Sequence, residues 1–509
     1  MRGKNRKLFV FLMLTAITVI TRISYLSDPK HIVDGDEAII GIMAIETANL
    51  EYFPGFFHGQ QYGLSTVEVL PAALFFKVFG VSDLALSVSI LCLFILTVWF
   101  LYLYLRRELN SDLPAIAGCI MLILIPAMIP WSMKARGGYA TALLCSTILL
   151  YLTDRHTITT SKKHWFTAGV VAAVSYFAQP LFLLSILPLL SYRVITRLKT
   201  GSYYIVFSLI PLSAALKWWS LQNNAGYIAN PLGDWNSEVF YSLHDVFSVV
   251  FSGYFYLNDA FSAPQWVYYF AIFTVTGTII LFIINFIRSS AQSTSPILLL
   301  WFCGLIITAL LLCLAQPFGL DDRGATHLPY RYGLPAVLII CVMFAYGIRS
   351  LHKKLGVAVL SIIILTGVIS SFSMKNYPYT WWMNGNNSRH KFLEYITYME
   401  SLSGNCAFVT EPMFQHHIRF YSELKIHVRS MSLVERYPDE VRTVSDALFQ
   451  TNPTIVTGLY GFHLGMDLHP HYNQNLTYIY SKDSTPLYFV VHNPPAEMLQ
   501  SCGFEFSSR

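Results

Sequence analysis

Apolar runs of about 20 residues recur along this chain from its first turns to about residue 373, with polar residues confined to the gaps between them. A helix of roughly that length crosses a hydrocarbon core of about 30 Å. The pattern predicts eleven spanning helices, over residues 8–26, 84–105, 113–131, 138–153, 165–179, 181–195, 202–219, 266–287, 296–315, 332–349 and 355–373. Gln179-Pro180 separates the fifth from the sixth, because proline lacks an amide proton and biases the residue before it toward extended backbone. Two further apolar stretches, 38–49 and 65–80, are too short or too interrupted by Pro71, Lys77 and Gly80 to cross. They predict helices lying in the membrane interface, inside a long and structured first loop.

Beyond about residue 375 the pattern changes. Helix-like periods at 389–402 and 435–450 alternate with short β-rich stretches, CAFVTE, KIHVRS, PTIVTGL and LYFVVHN. The expected organisation is a mainly α, polytopic transmembrane module over 1–374 and a small extracytoplasmic α/β domain over 375–509.

Composition agrees with a membrane protein: of 509 residues 54% are hydrophobic and 12% charged, against about 25% charged in a soluble domain. The net charge of +5 is small and gathers into no basic stripe, so nucleic acid is excluded as a partner. The basic start MRGKNRK resembles that of a signal peptide, but the apolar stretch after it is long and no small-x-small cleavage site follows, which predicts an uncleaved first span. Lys and Arg concentrate in alternate loops: RGKNRK, Arg106-Arg107, Arg155 with Lys162-Lys163, RVITRLK, Arg288, and Arg349 with Lys353-Lys354. Positive residues stay on the cytoplasmic side. The N-terminus is therefore expected inside and, after eleven crossings, the C-terminal domain outside. Cys406 and Cys502 stand in the polar tail, where a disulfide is left open.

Against this background the stretch HIVDGDEAIIGIM stands out, with Asp34, Asp36 and Glu37 inside four positions. An Asp ahead of an apolar run is a good N-cap, and acids in a first turn suit the helix dipole. That accounts for one or two of the three. Unpaired charge beside a membrane is costly and tends to mark function. About 30 residues later Glu68 falls within the second interfacial helix, in HGQQYGLSTVEVL. Facing the first acids, it would help to remove a proton and orient an incoming hydroxyl; alone, it is a glutamate at headgroup level.

An N-terminal span, an outer loop whose Asp36-Glu37 pair opens an interfacial helix, the G-x-x-Y-G-(x)4-E stretch ending at Glu68, many later spans and a terminal outer domain occur in an order that resembles the GT-C membrane glycosyltransferases. The similarity is to the bacterial branch related to protein mannosyltransferases and lipid A aminoarabinose transferases, glycosyltransferase family 39-like. It implies that Asp36 is the catalytic base with Glu37 beside it, and that Glu68 is a second acidic or acceptor-orienting group. It also implies a polyprenyl-phosphate sugar as donor, presented at the outer face of a bacterial inner membrane, with inversion at the sugar and a glycan, lipid or protein as acceptor. Asp34 has no role in that scheme.

A departing phosphate needs cations. The outer-side candidates are Lys134 and Arg136 in WSMKARGGYA, and Arg323 and Arg331 in DDRGATHLPYRYGLP, each pair just ahead of a span. A guanidinium matches phosphate oxygens as a fork; the alternatives are snorkelling cations or partners for Asp321 and Asp322. Some GT-C enzymes use a divalent ion and others do not; His31, His58 and His327 are outer-loop candidates without ligand spacing, His416 and His417 point in different directions on a helix, and a hard cation would fall to Asp34 and Asp36. The aromatic segment 220–265 is open to two readings, an interfacial belt or a sugar-binding surface. Two rival functions fit many spans: an O-antigen polymerase or ligase, whose informative loop lies later in the chain, and a non-enzymatic transporter or flippase of lipid-linked saccharide.

Overall fold

The computed structural model describes residues 2–27, 32–58, 60, 63–154, 162–198, 201–223, 265–289, 295–314, 333–373, 389–402, 407–410, 414–430, 454–459, 476–480 and 486–492. Its first part is all helical: α1 (Arg2–Leu26), α2 (Gly35–Ala48), α3 (Thr66–Phe79), α4 (Asp83–Leu109), α5 (Asp112–Leu124), α6 (Met128–Trp131), α7 (Tyr139–Leu152), α8 (Lys162–Ala178), α9 (Pro180–Ile195), α10 (Tyr204–Asn223), α11 (Gln265–Ser289), α12 (Ser295–Leu314), α13 (Leu334–Ser350) and α14 (Lys353–Ser373). Ten of the eleven expected spans each coincide with one helix, and α2 and α3 stand where the two interfacial helices are expected. The stretches Asn5–Leu26, Asp83–Leu109 and Tyr204–Gln222 are long and apolar enough to cross a membrane, and shorter apolar helices surround them.

The third span departs from the expected single helix. Pro126 has no amide to give and forces Ile125 into an extended conformation (φ −58°, ψ 124°), so α5 stops at Leu124 and one short turn, α6, follows. At Gln179 the chain is again extended (φ −159°, ψ 103°), and Pro180 occupies the first position of α9, where a missing N–H costs nothing.

Helix α13 is buried on all sides from Leu334 to Ile348 and packs against α5, α11 and α12. Small residues permit the close approaches: a side chain at Gly118 would meet the Cys341 carbonyl of α13, and one at Gly169 the Ile205 carbonyl of α10. The outer faces of α10, α12 and α14 instead expose Phe207, Ile210, Trp218, Leu310 and Leu365. An apolar surface of that extent on several helices fits lipid, not water. This is a multi-pass membrane protein.

One end of the bundle is knotted by cations. Arg193 Nη2 lies 2.9 Å from Glu108 and Arg107 3.4 Å from Asp154; Arg6 and Arg106 both hold Asp112. Helix α1, with 25 residues at about 1.5 Å each, separates Arg6 from the end where α2 and α3 begin.

The C-terminal part carries α15 (Arg389–Leu402), α16 (Phe414–Tyr421) and strands β1 (Ala407–Thr410), β2 (Val428–Ser430), β3 (Thr454–Leu459), β4 (Leu476–Tyr480) and β5 (Pro486–His492). The sheet order is β2-β1-β3-β5-β4. Strand β1 runs parallel to β2 and β3, while β5 is antiparallel to β3 and β4. Stacked rings of Tyr395 and Tyr488, 4.6 Å apart, and of Phe414 join the helices to the sheet. Ile32, from the chain just ahead of α2, belongs to this same core. The helix expected over 435–450 lies outside the described residues, as do Cys406 and Cys502.

Candidate active site

The acidic stretch folds as its N-cap chemistry requires. Asp34 caps α2 in a reciprocal box: its Oδ1 accepts from the Glu37 amide at 3.0 Å, and Glu37 Oε2 accepts from the Asp34 amide at 2.8 Å. Asp36 and Glu37 fill the first helical turn. Asp34 is thus an ordinary cap, and more, because its other oxygen faces away from the helix.

That oxygen meets two cations from the loop between α6 and α7. Lys134 Nζ and Arg136 Nη1 each donate to Asp34 Oδ2 at 2.9 Å. Arg136 also donates through Nε to Asp36 Oδ2 at 3.0 Å, with Nη2 at 2.9 Å from the same atom. Trp131 lies beneath both, its ring centre 5.6 Å from the Arg136 guanidinium carbon and 6.0 Å from Lys134 Nζ. The cluster is not sealed, since the Asp34 and Asp36 side chains each keep 16% of their surface open and Arg136 keeps 22%.

The electrostatics of the cluster balance around Glu37. Burial raises the Asp34 carboxyl, but Arg136 and Lys134 outweigh it and hold Asp34 well below the usual carboxylate range. Glu37 goes the other way: burial and the neighbouring Asp34 charge push it up to about 8. Burial works against charge on Arg136, yet the acids Asp34, Asp36 and Glu37 keep it firmly protonated. With Glu37 neutral, two carboxylates face two cations.

Glu68 is placed differently from the other acids. It is fully buried in the first turn of α3, where its Oε1 accepts from the Thr141 amide at 3.2 Å and the Thr141 hydroxyl at 3.4 Å. A carboxylate is thereby set against the first turn of α7, whose amides have no partners within the helix. Burial pushes Glu68 up to about 7, with the amides of Thr141, Gly138 and Ala140 pulling against it. Both acidic groups therefore act on one segment, 134–141: the Asp34–Asp36 pair grips Lys134 and Arg136, and Glu68 holds the start of the helix that follows.

The same segment is locked from below. Gly138 is left-handed (φ +91°), and a side chain there would come within 2.6 Å of the Ala178 carbonyl at the end of α8. The adjacent carbonyl, Phe177 O, accepts from the amides of Gly63 and Leu64, each at 3.0 Å. Buried Arg22 of α1 fixes the chain ahead of it, donating to Ile123 O at 2.7 Å, Met128 O at 3.2 Å and Ser132 Oγ at 3.0 Å.

Of the residues singled out from sequence, Asp34, Asp36, Glu37, Lys134 and Arg136 converge on one cluster, and Glu68 sits behind it. Arg323, Arg331, His31 and His327 lie outside the described residues, as does segment 224–264. Among the described residues no group of three or more His, Cys, Asp or Glu is gathered for a metal. Asp34 and Asp36 turn their outer oxygens onto Lys134 and Arg136, which a divalent ion would have to displace. Sequence reasoning passed over Trp131, and it weighed His417 only as a metal ligand; both contact the site's framework.

Residues 70–219 match the family model of dolichyl-phosphate-mannose-protein mannosyltransferases, a span that includes Lys134 and Arg136 and begins just after Glu68. No curated protein matches the sequence. In fold the chain is similar to ArnT from Cupriavidus metallidurans bound to undecaprenyl phosphate, with 10% identity and a TM-score of 0.65 over 95% of this chain and 98% of that one. It is similar to the apo state of the same protein at 9% identity and a TM-score of 0.64, over 97% and 99%.

Proposed function

We propose that this chain is a glycosyltransferase of the GT-C superfamily and moves a sugar from a polyprenyl-phosphate donor to an envelope acceptor, a glycan, a lipid or a protein. The fold it shares with an ArnT crystallised with undecaprenyl phosphate supports such a donor. The observation that carries the site assignment is the Arg136 guanidinium, which bridges Asp34 and Asp36 while part of it stays open.

In the resting cluster Arg136 is shared between two carboxylates. A donor phosphate arriving at its open side competes for the same fork and draws it from Asp36. Asp36 is then free to take the proton from the acceptor hydroxyl. The oxygen attacks the anomeric carbon on the face opposite the phosphate, the carbon–oxygen bond to phosphate breaks, and the sugar is inverted. Polyprenyl phosphate leaves with one more negative charge, which Arg136 and Lys134 receive in a site prepared for it. Asp34, held by Lys134 and the α2 cap, keeps the cations in place throughout.

The topology that goes with this reading sets the cluster at the extracytoplasmic face of an inner membrane. The Arg6, Arg106, Arg107 and Arg193 end of the bundle then faces the cytoplasm, as the positive-inside rule favours. The same reading assigns residues 375–509 to the extracytoplasmic side. A polymerase, ligase or flippase is disfavoured by the family match and the shared fold.

The test is transfer by purified protein given a polyprenyl-phosphate sugar. Wild type releases or transfers the sugar; Asp36→Asn and Arg136→Ala, folded as wild type, do so at least about 100-fold more slowly, the scale typical of general-base loss. Full activity in Asp36→Asn removes that residue as the base.

A further inference from the structure

Between the first loop and the C-terminal part the contact is short and chemically specific. Val33, immediately before the Asp34 cap, has both its backbone polar groups satisfied by side chains of α16. Its amide donates to Tyr421 Oη at 3.1 Å, and its carbonyl lies 3.0 Å from His417 Nε2, which donates to it. The Tyr421 hydroxyl in turn donates to Asp83 Oδ2 at 3.3 Å. Asp83, the first residue of α4, is forked by Arg389 of α15, with Nε at 3.1 Å and Nη2 at 2.9 Å. Between the two polar grips, Phe420 fills the space over Gly41 of α2, where a side chain would come within 2.4 Å of the ring, and it packs on Phe76 of α3.

We propose that Tyr421 and His417 are positioning residues for the transfer reaction: they clamp the Val33 peptide and so set the direction in which Asp34 and Asp36 leave the start of α2. This rests on the function proposed above. The physical reason is leverage. A cap residue fixes where a helix begins, and the peptide ahead of it fixes the orientation of that start. Stacking and area burial by Phe420 hold α2 against α16 without choosing a rotation about its axis. Two hydrogen bonds to one peptide, one to its donor and one to its acceptor, do choose. Both hydrogen bonds end on the Val33 peptide, so their effect reaches Asp34 and Asp36 through backbone. The chain Arg389, Asp83, Tyr421, Val33 and Asp34 also ties α4 and α15 to that peptide, which anchors the clamp on two sides.

The test uses the full-length protein. Tyr421→Phe removes one hydroxyl and leaves the ring. His417→Gln retains a donor and His417→Ala does not. Expected are a kcat lowered about tenfold or more in Tyr421→Phe and His417→Ala, in line with the roughly hundredfold penalties of ångström-scale misplacement. Melting temperature should stay within a few degrees of wild type, and His417→Gln should recover most of the rate. Amide hydrogen exchange over residues 32–43 should speed up in Tyr421→Phe with the spans unchanged. Variants whose folded fraction retains wild-type kcat, and whose exchange over 32–43 is unaltered, overturn the clamp. If instead wild type transfers no sugar from any polyprenyl-phosphate donor while the exchange at 32–43 still responds, the clamp on α2 stands and the functional reading falls.

Discussion

Glu37 and Glu68 are carboxyls that the protein holds in or near their neutral form, and each predicts a pH effect of a definite sign. Burial first, then Asp34, brings Glu37 up to about 8, so at lower pH the cluster is balanced. As pH rises through about 8, Glu37 ionises beside Lys134 and Arg136 and competes for them with the donor phosphate. The donor KM should rise there, and Glu37→Gln should flatten the KM profile from pH 7 to 9. For Glu68 the folded value of about 7 lies above the ordinary 4.5. The folded state therefore binds the proton more tightly than the unfolded state. The associated stability is present below about pH 4.5 and lost as pH rises to about 7. Melting curves should show wild type losing more stability from pH 5 to 8 than Glu68→Gln; an equal loss in both would mean that Glu68 is ionised throughout.

At the scale of elements, the site depends on how closely α7, α8 and α2 approach their neighbours. Gly138 combines a left-handed backbone with 2.6 Å from an added side chain to the Ala178 carbonyl, so Gly138→Ala should move the 134–141 segment, lower the melting temperature and cut transfer sharply. Gly80, also at positive φ (φ +83°, ψ 162°) but open on all sides, is the control: Gly80→Ala carries only the backbone cost of about 1–3 kcal/mol. The spans, the two interfacial helices and the cap at Asp34 were legible in the sequence because each is a local pattern: an apolar length, a proline or a polar side chain ahead of a run. Proline also explains the break that the third span hides, since Pro126 stops α5 whatever follows. What the sequence did not disclose was pairing at a distance. Nothing near Asp34 or Asp36 announces Arg136, 102 and 100 residues later, and nothing near Val33 announces Tyr421. Strand β4 and helix α16 also escaped, though the shorter β1 and β2 did not; contacts with the rest of the unit, not a local pattern, hold them.

Over the whole molecule, the proposed site and the buried Arg193–Glu108 pair sit at opposite ends of the bundle. Asp83 and Glu108 lie on one helix, 25 residues apart, or about 38 Å at 1.5 Å per residue. At the far end Arg193 Nη2 meets Glu108 at 2.9 Å, both side chains almost fully buried. Breaking such a pair leaves one charge unmatched and costs about 3–5 kcal/mol, whereas replacing both by apolar residues is close to neutral. Arg193→Leu should therefore yield little folded protein. The double variant with Glu108→Leu should recover much of it, and its transfer rate per folded molecule should match wild type. A double variant that is stable but inactive would show that the two ends are coupled.

The clamp of His417 on Val33 joins residues 384 positions apart. A ribosome adding about 5–20 residues per second reaches the second some 20–80 s after the first. Throughout that interval the nascent chain can already be threading its early helices into lipid with the acidic loop still unsecured. If the proposed clamp is needed for transfer, synthesis itself keeps the acidic loop inactive until α16 has emerged and docked.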